Sequence, residues 1–128
     1  MPHTPEQNKA IVREFYDLAF NQRQPEAAVA KHVGGMYRQH NPMAGDGPGP
    51  FISFVKWFTG ENPQMRFDFK RFIADGDLVA VHSHLRLSPE ARGTAVMDIF
   101  RLENGKIVEH WDVLQEVPET AENQNTMF

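Results

Sequence analysis

The run Asp98-Ile99-Phe100-Arg101-Leu102-Glu103-Asn104-Gly105-Lys106-Ile107-Val108-Glu109-His110-Trp111-Asp112 alternates on both sides of an Asn-Gly pair. Asn-Gly between alternating runs signals a β-hairpin, because both residues tolerate the positive φ that a tight turn between twisted strands demands. Successive side chains of a strand point to opposite faces. On the first arm Val96, Asp98, Phe100 and Leu102 therefore share one face, and Met97, Ile99 and Arg101 the other. On the second arm Val108, His110, Asp112 and Leu114 share a face, and Ile107, Glu109, Trp111, Val113 and Gln115 the other. A two-residue Asn-Gly turn would set Asp98 opposite Trp111. A three-residue Glu103-Asn104-Gly105 loop with a glycine bulge would set Asp98 opposite His110. We favour the second register. It gathers Asp98, His110 and Asp112 on one surface with Phe100 and Leu114, and leaves Arg101 and Glu109 as a diagonal charge pair outside. A slip of one residue would exchange the faces.

A second hairpin precedes the first. Met65 to Ala74 and Leu78 to Leu87 flank Asp75-Gly76, a turn signal, and Ser88 to Gly93 loops on to the strand that starts at Thr94. The last strand runs from Lys106 to Val117. Upstream the period changes to that of helices. Thr4, Pro5 and Gln7 form a capping-box start, and Ile11, Phe15, Leu18 and Ala19 continue it to about Phe20. Pro25 opens a short second helix through Val33, with Gly34-Gly35 as its stop. Met36 to His40 reads as extended, and Ala44 to Pro50, rich in Gly and Pro, as a loop. Pro50 opens a third helix, whose Phe51, Phe54, Val55 and Phe58 form one apolar stripe ended by Gly60 and Pro63. Three helices followed by an antiparallel meander is the α+β class. The chain reads as a single domain over 1–128, with a polar, poorly ordered tail from about 118. A curved sheet laid over helices leaves a concave cavity between the layers, the usual place for a small ligand.

Composition narrows the function. The 128 residues contain no cysteine, which removes disulfides, thiolate metal sites and thiol nucleophiles, and suits a cytoplasmic location. The net charge of −4 lacks the basic stripe of a nucleic-acid binder. No apolar run approaches the ~18 residues of a membrane span, and the N-terminus lacks the apolar core of a signal peptide. Six histidines are the unusual feature.

Imidazole beside carboxylate is suited to acid–base work near neutral pH. A carboxyl among apolar side chains resists ionisation and can donate to a developing oxyanion. The same Asp98–His110 pair would also serve as a structural hydrogen bond. His82 and His84 share one face of their strand. Pairing across Asp75-Gly76 would set Phe69 opposite His82 and Phe67 opposite His84, making a wall of two Phe and two His. Val79, Val81, Leu85 and Leu87 make the opposite face more apolar, which would instead turn the histidines outward. His-x-His with His40, His110 and a carboxylate could ligate a metal, but no HExxH-type helix accompanies it, and no metal is assigned.

Tyr37-Arg38-Gln39-His40-Asn41-Pro42, Asp75-Gly76-Asp77-Leu78-Val79-Ala80-Val81-His82-Ser83-His84 and the hairpin from Asp98 to Asp112 together resemble the SnoaL-like branch of the NTF2-like superfamily over about residues 8 to 117. The resemblance implies a cone-shaped barrel, three N-terminal helices closing a curved antiparallel sheet around a deep pocket, often as a homodimer through the sheet. Relatives such as polyketide cyclases, ketosteroid isomerase and limonene-epoxide hydrolase work without cofactor or metal. Asp98 resembles the isomerase's oxyanion-hole aspartic acid, and Phe15 or Tyr16 lies near its oxyanion tyrosine. Asn41 stands where the isomerase has its general base. Asp112 or Gln115 resembles the cyclases' acid/base aspartate. The expectation is a cofactor-independent enzyme acting on a small apolar carbonyl compound by isomerase, cyclase or aldol-type chemistry. Asp98, His40, His110 and Asp112 would be catalytic, and Asn41, His82, His84, Phe67, Phe69 and Phe100 would bind substrate. A non-catalytic ligand-binding module and an epoxide-hydrolase-like activator of water are the alternatives.

Overall fold

Thr4 closes a capping box with Gln7, accepting its backbone N–H at 3.1 Å and donating its own to Oε1 at 2.8 Å. The computed structural model describes residues 3–128. Helix α1 (Pro5–Tyr16) gives way to one π-helical turn over Asp17–Asn21, where a regular helix to Phe20 was expected. Such wide turns commonly lie beside functional sites. Asn21 at its end pairs with the backbone of Phe67 in both directions, donating to its carbonyl at 3.0 Å and accepting its N–H at 2.9 Å. Helix α2 (Pro25–His32) leads directly into strand β1 (Val33–Gln39). Gly34 and Gly35 thus lie within a strand and not beyond a helix end. A Cβ on Gly34 would sit 3.0 Å from Val108 Cγ1, so glycine there lets β1 approach its neighbour. Helix α3 (Pro48–Glu61) buries Phe51, Val55 and Thr59.

The remaining strands are β2 (Arg66–Asp75), β3 (Leu78–Arg86), β4 (Thr94–Glu103) and β5 (Lys106–Glu116). They form the expected antiparallel meander. β1 adds to it in parallel beside β5, so the sheet is mixed, with the order β1-β5-β4-β3-β2, and it does not close into a barrel. The helices cover one face. Phe15 of α1, Val55 of α3, Val79 and Val81 of β3, Phe100 of β4 and Ile107 of β5 are completely buried between the layers. Among the described residues no helix is long and apolar enough to cross a membrane.

Two irregularities decide which side chains face the helices. Asn104 and Gly105 both have positive φ, 51° and 77°, and make a two-residue turn that pairs Glu103 with Lys106. The expected three-residue loop is therefore absent. One extra residue of β5, Val108, then shifts the ladder, pairing Arg101 with Glu109, Phe100 with His110 and Asp98 with Asp112. The register differs by two residues from the one favoured from sequence, so the faces are those expected: Asp98, His110 and Asp112 all point inward. Arg101 and Glu109 meet outside at 2.8 Å, directly opposite instead of diagonally.

In the other hairpin the extra residue is Lys70 of β2. It sets Phe67 opposite Leu85 and Phe69 opposite Ser83, correcting the expected pairing with His84 and His82. Val79, Val81 and Leu85 take the inner face, and the two histidines turn outward. The tail beyond Val117 has no helix or strand, yet it ends on this outer face, where the Phe128 ring stacks on His84 at 4.0 Å.

Candidate active site

Four elements and one loop deliver polar side chains to the same end of the interlayer space. Tyr16 comes from the last turn of α1, one turn after Val12 on its buried side, and Phe20 of the π-helical turn continues that side. Tyr37 and Gln39 come from β1, whose alternation places Arg38 and His40 on the other face. Asp98 comes from β4, His110 and Asp112 from β5, and Asn41 from the loop after β1. They line a cavity of about 260 Å³ whose remaining wall is largely apolar, with Phe20, Phe51, Phe54, Phe58 and Phe67 prominent.

The centre is Asp98, with no exposed surface. Its Oδ1 accepts the Tyr16 hydroxyl at 2.8 Å and lies 2.7 Å from His110 Nε2. The other imidazole nitrogen, Nδ1, is 2.6 Å from Gln39 Oε1. That amide oxygen also accepts the Asn41 backbone N–H at 3.3 Å, which fixes its orientation. An amide oxygen can only accept, so Nδ1 carries a proton. His110 Nε2 then faces Asp98 Oδ1 at hydrogen-bond distance. The Tyr16 hydroxyl is also 3.2 Å from Nε2.

Burial, and next the charge of Asp98, push the Tyr16 phenol well above its ordinary range, so it remains a donor. Burial likewise raises Asp112 above the usual carboxylate range, against the opposing pull of His110. Asp112 Oδ1 accepts the Asn41 side-chain amide at 2.9 Å, and Oδ2 is 3.9 Å from His110 Nε2.

Asp98, His110, Asp112 and Asn41 thus come together as the sequence suggested. Phe67 lines the cavity. Phe100 is buried behind it, with its ring 4.8 Å from that of His110. Phe69 lies behind Tyr16, at 6.5 Å between rings, on an outer groove between α1 and β2. His40 departs from expectation. It sits on the outer face, stacked flat on Trp111 at 4.7 Å and 2.6 Å from Glu109 Oε2, so it does not reach Asp98. His82 and His84 also lie outside. His82 is engaged by Arg71, and His84 is 2.7 Å from the Arg92 carbonyl oxygen. Sequence reasoning missed Tyr37 and Gln39. The signal was the alternation Tyr37, Gln39, Asn41 against Arg38 and His40. For Tyr16 the choice against Phe15 needed the packed helix.

Asp98, His110 and Asp112 offer ligand atoms within 4.8 Å of one another and could hold a metal ion. A metal there would have to replace the proton in the 2.7 Å contact, a hydrogen-bond distance.

The description "SnoaL-like domain" fits residues 12–110. No curated protein matches the sequence. Among solved structures, a proposed ketosteroid isomerase from Kribbella flavida is 23% identical, over 93% of this chain and 85% of that one, with a TM-score of 0.72. TsrD from Streptomyces laurentii is 18% identical, over 88% and 90%, with a TM-score of 0.70. A proposed polyketide cyclase from Acidithiobacillus ferrooxidans is 18% identical, over 84% and 87%, with a TM-score of 0.69. At these identities the likeness is one of fold. With a match that spans most of its length and the same architecture in its structural neighbours, the chain belongs to the SnoaL-like domain family.

Proposed function

We propose that this protein is a cofactor-independent enzyme that moves a proton on a small apolar carbonyl compound, in isomerisation or aldol-type closure. One observation carries the reading. A fully buried carboxyl lies 2.7 Å from an imidazole nitrogen, at the polar end of an otherwise apolar cavity. Away from water such a pair exchanges its proton with a bound molecule with little competition from solvent, and charge interactions inside are strengthened. Tyr16 supplies a second donor to Asp98, and Gln39 holds the ring of His110 in one orientation. Asp112, kept toward its neutral form by burial, lies 3.9 Å from the ring nitrogen and accepts the Asn41 amide at 2.9 Å. His40, His82 and His84 take no part. Cyclases and isomerases are named among the structural neighbours, which supports the reaction class without fixing it.

The test is Asp98→Asn, which keeps shape and removes the carboxyl group. Turnover of enolisable ketones should fall by at least 10²-fold, the lower end for a positioned acid–base group, with an unchanged circular dichroism spectrum. Activity retained at the wild-type level sinks the assignment.

A further inference from the structure

The outer groove between α1 and β2 has a volume of about 460 Å³ and is distinct from the interlayer cavity, with Phe67 as the wall they share. The π-helical turn runs along it, and the first and last residues of that turn, Asp17 and Asn21, both line it. A π-helical turn is a rare irregularity, found frequently at functional sites.

Charge decides what the groove takes. Two of its carboxylates already hold cations: Glu14 bonds Lys31, and Asp68 bonds Lys70 at 2.8 Å. Asp17 accepts the side-chain amides of Asn21 and Gln22 at 2.9 and 2.7 Å. Arg13 of α1 and Arg66 of β2 face the groove from its two walls, and neither makes a hydrogen bond or ion pair with any described residue. Arg38 and Arg86 apart, every other lysine and arginine is bonded to a carboxylate, a carbonyl oxygen or His82. Arg66 also stands directly opposite Arg86 across the β2–β3 ladder, a like-charge pair that is destabilising. The Arg13 guanidinium lies over the Phe72 ring at 4.2 Å, which holds it beside the groove. With the two neutral ion pairs set aside, two guanidiniums face one carboxylate, Asp17, and one positive charge is left over.

The floor indicates the rest of the ligand. Phe67 and Phe69 stack along it, 6.0 Å apart and 15° from parallel. A volume of about 460 Å³ falls within the range of about 300–1,000 Å³ that small-molecule sites occupy. We infer that the groove binds an aromatic carboxylate with one negative charge, its carboxylate between Arg13 and Arg66 and its ring over Phe69. Guanidinium and carboxylate match as paired N–H···O bonds. One negative charge balances the groove and relieves Arg66 of its repulsion by Arg86. A second negative charge would have no free cation inside the groove and would sit among Glu14, Asp17 and Asp68. The site takes no part in the chemistry proposed for the interlayer cavity, and its test is separate from the test of that chemistry.

The test titrates the purified full chain with 2-naphthoate, with its neutral analogue 2-naphthamide, and with acetate, an anion without a ring, following backbone amide shifts by NMR. Wild type should bind 2-naphthoate about tenfold tighter than either control, since each control lacks one half of the match. The shifts should move at Ala10, Arg13 and Arg66 and stay fixed at Ala44 and Leu114, which line the interlayer cavity. Arg66→Gln should weaken 2-naphthoate about fivefold, the upper end for one exposed charge pair, and leave 2-naphthamide unchanged. Ala10→Trp, at an exposed helix position on the groove, should fill it and abolish binding. Failure of 2-naphthoate to bind, equal affinity for the acid and the amide, or shifts confined to the interlayer cavity overturns the inference. So do Arg66→Gln and Ala10→Trp variants that bind as wild type does.

Discussion

Asp112 shows at the scale of one residue how burial is used. Water is largely excluded from its carboxyl, so the folded chain holds the Asp112 proton to a higher pH than the unfolded chain does. A raised carboxyl in the folded state means that ionisation costs stability. The cost is absent below the ordinary value of 3.8, where both states are neutral, and develops as pH rises through the raised value. Asp112→Asn removes it and still offers an oxygen to the Asn41 amide. The variant should therefore melt above wild type at pH 7, with the gap closing toward pH 3.5. A gap that is constant over a series of thermal unfolding curves would contradict this account. Glu109 has the opposite sign. Hydrogen bonds from His40 and Arg101 hold it below its ordinary range, so its stabilisation is full above 4.5 and is lost as acid protonates it.

Among the elements, the joint between α1 and β2 is the one the site depends on. Tyr16 is the last residue of α1, and the π-helical turn that follows ends on Asn21, whose amide substitutes for a strand partner at Phe67. Asn21→Ala would leave one N–H and one carbonyl of β2 without partners, at a cost of about 1–3 kcal/mol. A lower urea midpoint with an unchanged slope is the expected result, together with weaker ligand binding as Tyr16 loses its support. The helices themselves were readable in advance: the capping box at Thr4 and the Phe51, Phe54, Val55, Phe58 stripe place α1 and α3 to within a few residues. The two β-bulges were not readable. At Val108 and Lys70 the inserted residue is determined by which side chains the helices accept on the inner face, a tertiary demand that strand alternation alone does not express.

For the whole molecule, the outer face of the sheet is the unfinished surface. Ile73, Met97, Ile99 and Val113 are exposed there, Val113 at 70%. Large apolar groups spread over one sheet face commonly mark an association surface. A second copy of the chain is the occupant we propose, in keeping with the homodimer expected from the family resemblance. Light scattering after size exclusion should give twice 14.7 kDa, and Val113→Lys should return the monomer mass. A monomeric wild type at high micromolar concentration would overturn this. The Phe128 stack on His82 and His84 lies on the same face, so truncation of the tail bears on the same measurement.

Local spacing alone set the α+β class and the order of helices before strands, whereas His110 and Asp112 join Asp98 on the inner face through the bulge at Val108. The spacing signals are capping residues, apolar periods of three to four or two, and an Asn-Gly turn. The parallel seat of β1 beside β5 came from long-range packing, because a parallel partner is far away in sequence and leaves no local trace. Packing also decided the histidines. His40, His82 and His84 carry the same chemistry as His110, but a strand has two faces, and only packing against the helices decides which one becomes the cavity.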